Sequence, residues 1–148
     1  MRKKVACIIP VRNNSKRIKN KNLVKIKGIP LIKYVCKKII KSLKIDEFFI
    51  ATDDVKIYNA IGNYKNKINF FKRSKKSSTE NAKSEIVIQE FVKKHNDFDI
   101  IVFVQATNPF INFAHLDQAL LKFKREKFDS LLSVVKSHSF LWKNKKFT

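Results

Sequence analysis

Short apolar runs alternate with amphipathic segments along most of the chain. Several of the runs are continuously apolar over four or more residues, as expected for strands that are covered on both faces. The candidate strands are residues 5–9, 47–51, 68–71, 99–104 and 130–135. The pattern therefore predicts five strands, most of them buried inside a sheet.

Four helical patterns lie between these runs. In the first, apolar residues recur at helical spacing from Leu31 to Leu43 with lysines on the opposite face, and Pro30 stands at the entrance, where its missing N–H costs little. The other three are marked by the sets Ile57, Ala60 and Ile61; Ile86, Val87, Phe91 and Val92; and Leu116, Ala119, Leu120 and Phe123. Alternation of strands and helices predicts an α/β fold with a mainly parallel sheet and right-handed crossovers.

The composition fits one globular domain over residues 1–148. The hydrophobic fraction of 44% and the 13 Phe residues exclude a disordered polybasic tail. No apolar run approaches the roughly 20 residues that a membrane-spanning helix needs. The apolar stretch near the amino terminus contains Pro10 and runs into Arg12, so we interpret it as a buried strand and not as an export signal. Residues 136–148 depart from the alternation, which leaves open a short terminal hairpin or a longer protein that has been cut here.

The charge is strongly positive, with 33 Lys and Arg against 12 Asp and Glu, a net charge of +21. Only five of the cations are Arg, and the lysines are spread along the whole chain. This distribution favours a lysine bias on solvated faces, because nucleic-acid-binding proteins usually concentrate Arg and aromatic residues in one stripe or arm. Attraction of a polyanion, either nucleic acid or a small phosphate-rich substrate, remains the alternative.

The cysteine and histidine residues do not indicate a metal or nucleophile site. Cys7 lies in an apolar run and Cys36 in a helical pattern, so we expect both to be core residues. Free thiols are compatible with a cytoplasmic protein. The three His residues lack ligand spacing. No metal ligand is therefore predicted.

Polar and cationic residues follow four of the predicted strands. In open parallel sheets, ligands bind beyond the carboxyl ends of the strands. The residues there are Arg12, Asn13, Asn14, Ser15, Lys16, Arg17, Lys19, Lys21 and Asn22; then Asp53 and Asp54; then Arg73 and Ser74; and finally Gln105, Thr107 and Asn108. Arg and Lys suit phosphate and amides can bind the edge of a base, so the pattern favours an anionic ligand with a polar heterocycle. We interpret Asp53 and Asp54 as loop and helix-start residues.

Six segments resemble the acylneuraminate cytidylyltransferases. Residues 8–22 read Ile-Ile-Pro-Val-Arg-Asn-Asn-Ser-Lys-Arg-Ile-Lys-Asn-Lys-Asn, which is similar to the family signature I-I-P-A-R-G-G-S-K-x-I-x-x-K-N. Residues 27–32, 51–54, 78–84, 105–110 and 130–135 resemble five further family segments in the same order. The resemblance covers nearly the whole chain. It implies a three-layer, Rossmann-like nucleotide-diphospho-sugar transferase fold.

The resemblance implies a reaction in which CMP is transferred from CTP to the anomeric hydroxyl of a nonulosonic (sialic-type) acid and pyrophosphate is released. Matched by position, the triphosphate would be held by Arg12, Ser15, Lys16 and Lys21, of which Arg12 and Lys21 are the candidate catalytic residues. Asn13 and Asn14 belong to the same loop and stand where the family has two glycines. We expect this replacement to limit how closely the backbone can approach phosphate. The cytosine and ribose would be contacted by Asn22, Arg73 and Ser84, and the acceptor sugar by Gln105.

The resemblance also implies a cofactor and partners. Mg²⁺ would bridge phosphate oxygens, and the family's metal-binding aspartates would lie beyond the end of this chain. A homodimer is expected, with residues 137–148 as the start of a dimerisation hairpin, and the product would enter glycan synthesis from the cytoplasm. Two alternatives remain: a catalytically deficient remnant that still binds nucleotides, and, more weakly supported, a basic nucleic-acid-binding domain.

Overall fold

The computed structural model describes residues 2–13, 18–79 and 81–136, together with the backbone of residues 142–143 and 146–147. In chain order the elements are β1 (Val5–Val11), β2 (Lys25–Ile26), β3 (Ile29–Pro30), α1 (Leu31–Ile39), β4 (Glu47–Thr52), α2 (Val55–Asn59), β5 (Asn69–Lys72), α3 (Lys75–Ser78), α4 (Ser84–Lys94), β6 (Ile100–Phe103), α5 (Phe113–Arg125), β7 (Trp142–Lys143) and β8 (Lys146–Phe147). Two 3₁₀-helices cover Lys21–Leu23 and Gly62–Asn66.

The main sheet contains four strands in the spatial order β5-β4-β1-β6, and all of its pairs are parallel. The predicted α/β fold with a parallel sheet is therefore confirmed. The chain moves outward from β1 through β4 to β5 and then crosses back to place β6 on the other side of β1. The strand order thus reverses between β1 and β6, which is where α/β sheets commonly bind their ligands.

The core has two halves because the side chains of β1 alternate between the faces of the sheet. Cys7 and Ile9 face a cluster that includes Ile32 of α1 and Leu120 of α5. Ile8 faces a second cluster, whose members include the rings of Phe49, Phe71 and Phe91. Phe49 and Phe91 pack edge to face with ring centroids 4.8 Å apart. Helices on both faces make the fold three-layered, as predicted.

Both cysteines lie in the core, as their surroundings in the sequence predict. Cys7 and Cys36 are free thiols with no exposed surface. Burial raises the pKa of the Cys36 thiol to about 12 and raises that of Cys7 further. Both are therefore inert packing groups at neutral pH.

The prediction of a strand at residues 130–135 is wrong. Residues 130–136 have no regular secondary structure, and Leu132, Val134 and Val135 are 83%, 81% and 90% exposed. An apolar run acquires strand geometry only where a neighbour supplies backbone hydrogen bonds, and within the described sheet β6 pairs with β1 alone. The first predicted helix also ends earlier than its pattern suggests, at Ile39, and Leu43 is exposed.

A tight hairpin between the first loop and α1 is absent from our sequence-based prediction. Strands β2 and β3 pair antiparallel across Lys27 and Gly28, which both have positive φ, 48° and 78°. Two successive left-handed residues are the geometry of a type I′ turn, which glycine favours. Pro30 directly precedes α1, as predicted.

Near the carboxyl terminus, β7 and β8 pair antiparallel, with Trp142 opposite Phe147. A short hairpin is therefore present, while its role in dimerisation stays a prediction. Within the ranges of the chain described above, no helix is both long enough and apolar enough to cross a membrane.

Candidate functional site

Several of the predicted site residues that the structure describes gather at one edge because all four main strands point the same way. Val11 pairs with Thr52 at the ends of β1 and β4, so Arg12 and Asp53 leave neighbouring strands at the same level. Arg73 follows β5 directly, and its N–H donates to the Thr52 carbonyl at 3.1 Å. On the other side of β1, the Val104 N–H donates to the Ile8 carbonyl at 3.0 Å and brings the chain to Gln105.

Arg12 connects the first loop to the segment after α3. Its side chain is half-buried, and Nη1 donates to the backbone carbonyl of Thr79 at 2.9 Å. The backbone carbonyl of Arg12 in turn accepts a hydrogen bond from Nδ2 of Asn22 at 3.5 Å. Arg12 is therefore held between two separate segments of the site.

Asn22 presents a buried acceptor. It lies in the 3₁₀-helix that Asn20 starts with a left-handed backbone, φ 52°, a conformation that asparagine tolerates. The Asn22 side chain is 7% exposed, and among the described residues its Oδ1 has no hydrogen-bond partner. Because Nδ2 faces the Arg12 carbonyl, Oδ1 must face away from it. Buried acceptors without a partner are rare, so this one indicates a place for a donor.

Arg73 is a buried cation at the same edge. It is 6% exposed, its Nη2 donates to the Ser77 carbonyl, and its Nε has no partner within the described part of the chain. Burial lowers the pKa of the Arg73 guanidinium and the nearby charge of Arg12 lowers it further, while Asp53 and Glu90 act in the opposite direction. Two cations held this close are destabilised by each other and favour an anionic ligand.

Glu90, which our sequence-based prediction omits, fastens the segment that contains Arg73. From α4 it accepts hydrogen bonds from the Ser74 and Ser77 hydroxyls, the latter at 2.7 Å, and from the Ser74 N–H at 3.4 Å. Ser74 also caps α3 by accepting from the Ser77 N–H at 3.2 Å. Burial would raise the pKa of Glu90, but the hydrogen bonds from Ser74 and Ser77, together with the charge of Arg73, lower it overall.

The two aspartates after β4 have different contacts. Asp54 caps α2 by accepting from the Lys56 N–H at 2.8 Å, which confirms it as a helix-start residue. Asp53 is exposed, and its Oδ1 accepts from the Asn13 N–H at 3.1 Å. The first loop is therefore attached to the end of β4.

The remaining predicted residues are less closely connected to this centre. Lys21 is half-buried at the start of the 3₁₀-helix, next to Asn22. Ser84 is the exposed first residue of α4, and exposed Gln105 accepts a hydrogen bond from Thr107 Oγ1 at 3.5 Å. Asn14, Ser15, Lys16 and Arg17, with Glu80, lie outside the described residues. The binding roles of all these residues stay predictions.

A cationic cavity of about 380 Å³ opens beside Arg73. Its lining combines four cations with one carboxylate and one hydroxyl: Lys72, Arg73, Lys93, Lys94, Glu90 and Ser74. The excess of positive charge makes this end of the sheet attractive to anions.

The described residues do not form a complete protein site for Mg²⁺. They contain no group of three or more His, Cys, Asp and Glu side chains close enough to hold a metal ion. Mg²⁺ is commonly held by one or two carboxylates together with substrate phosphates.

A parallel sheet whose order reverses beside β1, with cationic and amide groups at its carboxyl edge, has the architecture of the α/β proteins that bind their ligands at this edge. The family model described as "Cytidylyltransferase" matches residues 6–146, and the chain belongs to this family. The resemblance found in the sequence is thereby confirmed.

Relatives that are named for different sugar acids are similar to this chain. It is 32% identical over 139 residues to N-acylneuraminate cytidylyltransferase A of Danio rerio, a match that covers 94% of this chain and 32% of the relative. It is 36% identical over 121 residues to pseudaminic acid cytidylyltransferase of Campylobacter jejuni, covering 79% and 52%. It is 30% identical over 145 residues to 3-deoxy-manno-octulosonate cytidylyltransferase of Geotalea daltonii, covering 95% and 54%. The chain thus spans between a third and about half of these relatives.

Solved structures support the fold. CMP-2-keto-3-deoxy-manno-octonic acid synthetase complexed with CTP has a TM-score of 0.70 and 23% identity, over 84% of this chain and 48% of that one. A cytidylyltransferase from Leptospira borgpetersenii has a TM-score of 0.66 and 21% identity, over 84% and 50%.

Proposed function

We propose that this chain binds CTP and transfers its cytidylyl group to the anomeric hydroxyl of a nonulosonic (sialic-type) acid. The hydroxyl oxygen forms a bond to the α-phosphorus and loses its proton, and the bond from that phosphorus to the leaving pyrophosphate breaks. Family membership supports the class of reaction. The acceptor is the finer part of the proposal, because the relatives are named for three different sugar acids.

The main structural support is the buried Oδ1 of Asn22, which lacks a partner among the described residues. The exocyclic amine of cytosine is a hydrogen-bond donor, whereas uracil has a carbonyl at the same place. An acceptor fixed in position by the contact between Asn22 and Arg12 therefore favours CTP over UTP.

The cations of the site would perform the electrostatic part of the reaction. Phosphoryl transfer depends on positioning and on neutralising charge, for which a planar guanidinium is well suited. Arg12, fixed through Thr79, and Lys21 would bind the triphosphate, with Ser15 and Lys16 of the first loop. Arg73 would bind the nucleoside end together with Ser84, and Gln105 would contact the acceptor from the β6 side. Mg²⁺, held by the triphosphate itself, would add positive charge at the phosphates.

We propose that the protein acts in the cytoplasm as a homodimer and that its product supplies glycan synthesis. Two buried free thiols are compatible with a reducing compartment.

The test is nucleotide binding by this chain, measured by calorimetry with CTP, UTP, ATP and GTP, with Mg²⁺, at two salt concentrations. We expect selective CTP binding that largely survives the increase in salt. Asn22→Ala should lose about tenfold in CTP affinity and less than about threefold in UTP affinity, the change expected for one buried hydrogen bond. Asn63→Ala is the matched control, because exposed Asn63 precedes β5 and so lies toward the opposite edge of the sheet.

Three other results would contradict the proposal in different ways. Selective CTP binding without turnover of any nonulosonic acid would favour the nucleotide-binding remnant. Binding that does not distinguish the bases and collapses with salt would favour the polyanion-binding domain. If Asn22→Ala lost CTP and UTP affinity to the same extent, the proposed role of Asn22 in base selection would be contradicted.

A further inference from the structure

Asp53 links the ends of the two central strands with its side chain. The backbone pairing of β1 with β4 ends at Val11 and Thr52. Beyond that point the Asp53 carboxylate continues the connection, because its Oδ1 accepts from the Asn13 N–H at 3.1 Å. The backbone that follows Arg12 is therefore held by a side chain and not by the sheet.

The neighbouring residues hold Asp53 in place for this contact. Thr52 is fully buried, and its Oγ1 accepts from the Asp54 N–H at 3.2 Å. The Asp54 carboxylate is used on the Lys56 N–H as the cap of α2. The helix start thus requires only the second aspartate, and the first is directed toward the loop.

The charge of Asp53 also acts on the two arginines of the site, Arg12 and Arg73. Asp53 raises the pKa of Arg73, whereas Arg12 lowers it, so the carboxylate lies near enough to offset part of the repulsion between the two arginines. The same group therefore fixes the backbone next to Arg12 and stabilises the cation beside it. A site that must hold a reacting phosphate needs supporting contacts of this kind.

We propose that Asp53 is a positioning residue, whose hydrogen bond to the Asn13 N–H fixes the start of the first loop and so directs Arg12 toward the nucleotide. The identity of the nucleotide rests on the proposed function. The contact between Asp53 and Asn13 does not depend on it.

The experiment compares Asp53→Asn and Asp53→Ala with Asp129→Ala as the control for charge. Exposed Asp129 lies near Asp99 and Ile100, at the amino end of β6. Its replacement therefore removes one negative charge at a distance from the site. CTP affinity is measured by calorimetry, and the exchange rate of the Asn13 amide by NMR. The thermal midpoint of each variant reports whether it is folded.

We expect Asp53→Ala to weaken CTP binding about tenfold and to accelerate Asn13 amide exchange about tenfold, as loss of one hydrogen bond to a charged acceptor predicts. Asp53→Asn should lose less than Asp53→Ala, about threefold in both CTP affinity and Asn13 protection, because an amide oxygen can accept the same bond although the negative charge is lost. Asp129→Ala should change neither.

Tighter CTP binding by Asp53→Ala would overturn the proposal, since repulsion between carboxylate and triphosphate would then outweigh positioning. Equal losses of CTP affinity in Asp53→Asn and Asp53→Ala would also overturn the proposal. An unchanged exchange rate of the Asn13 amide in Asp53→Ala would do the same. If the unmodified chain binds no nucleotide, the proposed function fails. The exchange of the Asn13 amide then decides separately whether Asp53 fixes the loop.

Discussion

Replacement of Glu90 by alanine tests whether one carboxylate on α4 holds the segment that contains Arg73. The substitution removes the acceptor for the Ser77 hydroxyl at 2.7 Å and for the hydroxyl and N–H of Ser74. Ser77 is fully buried, and within the described part of the chain its hydroxyl keeps only a 3.3 Å bond to the Ser74 carbonyl. Ser74 is exposed and can bond to water instead.

The expected loss follows from these differences in burial. A buried hydrogen bond to a charged group contributes about 1.5–3 kcal/mol, and the remaining bond of Ser77 places this case at the lower end. The exposed contacts of Ser74 add about 0.5 kcal/mol. The free energy of unfolding should therefore fall by about 2 kcal/mol, which corresponds to a decrease of roughly 4–8 °C in Tm for a chain of this size.

Urea unfolding followed by circular dichroism measures the effect, with Gln89→Ala as the matched control. Gln89 is the exposed neighbour on the same helix, so both variants remove a long polar side chain from α4. The control should change the free energy of unfolding by less than about 0.5 kcal/mol. Similar losses in the two variants would refute the idea that Glu90 fastens the segment.

Three further predictions concern other features. The pKa of Glu90 is lower in the folded chain than its usual value, so the stability that Glu90 contributes is present above its unfolded pKa and is lost as the pH falls through its folded pKa. Glu90→Gln should therefore flatten the acid limb of a plot of unfolding free energy against pH. An unchanged acid limb would contradict this role of the Glu90 carboxylate. Gly28→Ala should cost about 1 kcal/mol in urea unfolding through the positive φ alone, because nothing lies within 4 Å of an added Cβ. Cys7 and Cys36 should resist a thiol reagent at pH 8 until urea unfolds the chain; reaction in the native state would contradict their burial.

The sheet and the polar residues at its carboxyl edge could be predicted because both depend on local patterns. A continuously apolar run such as that of β1 is compatible with a strand covered on both faces. Once the strands are parallel, the residues that follow them must share one edge, which is how Arg12 and Arg73 could be expected to lie near each other. The burial of Cys7 follows from the same reasoning.

The contacts that shape the site could not be predicted because they join residues distant in sequence. Glu90 is one of several charged residues on an amphipathic helix, and nothing local distinguishes it from Glu85 before Ser77 is placed beside it. The contact of Asp53 with Asn13 likewise depends on the register of β1 against β4. The wrong strand at residues 130–135 has the same origin, since apolar composition gives a preference for extended structure but does not supply a partner.

The exposed apolar residues after α5 affect how molecules of this chain behave toward each other. Leu132, Val134 and Val135 project from a molecule with a net charge of +21. Like charge keeps such molecules apart when the Debye length is roughly 30 Å, at 0.01 M salt, but much less when it is roughly 8 Å, at 0.15 M salt. Self-association measured by light scattering should therefore increase with ionic strength, and replacing Val134 and Val135 by serine should reduce it. The positive charge of the lysine-rich surface would then keep molecules with exposed apolar side chains from associating.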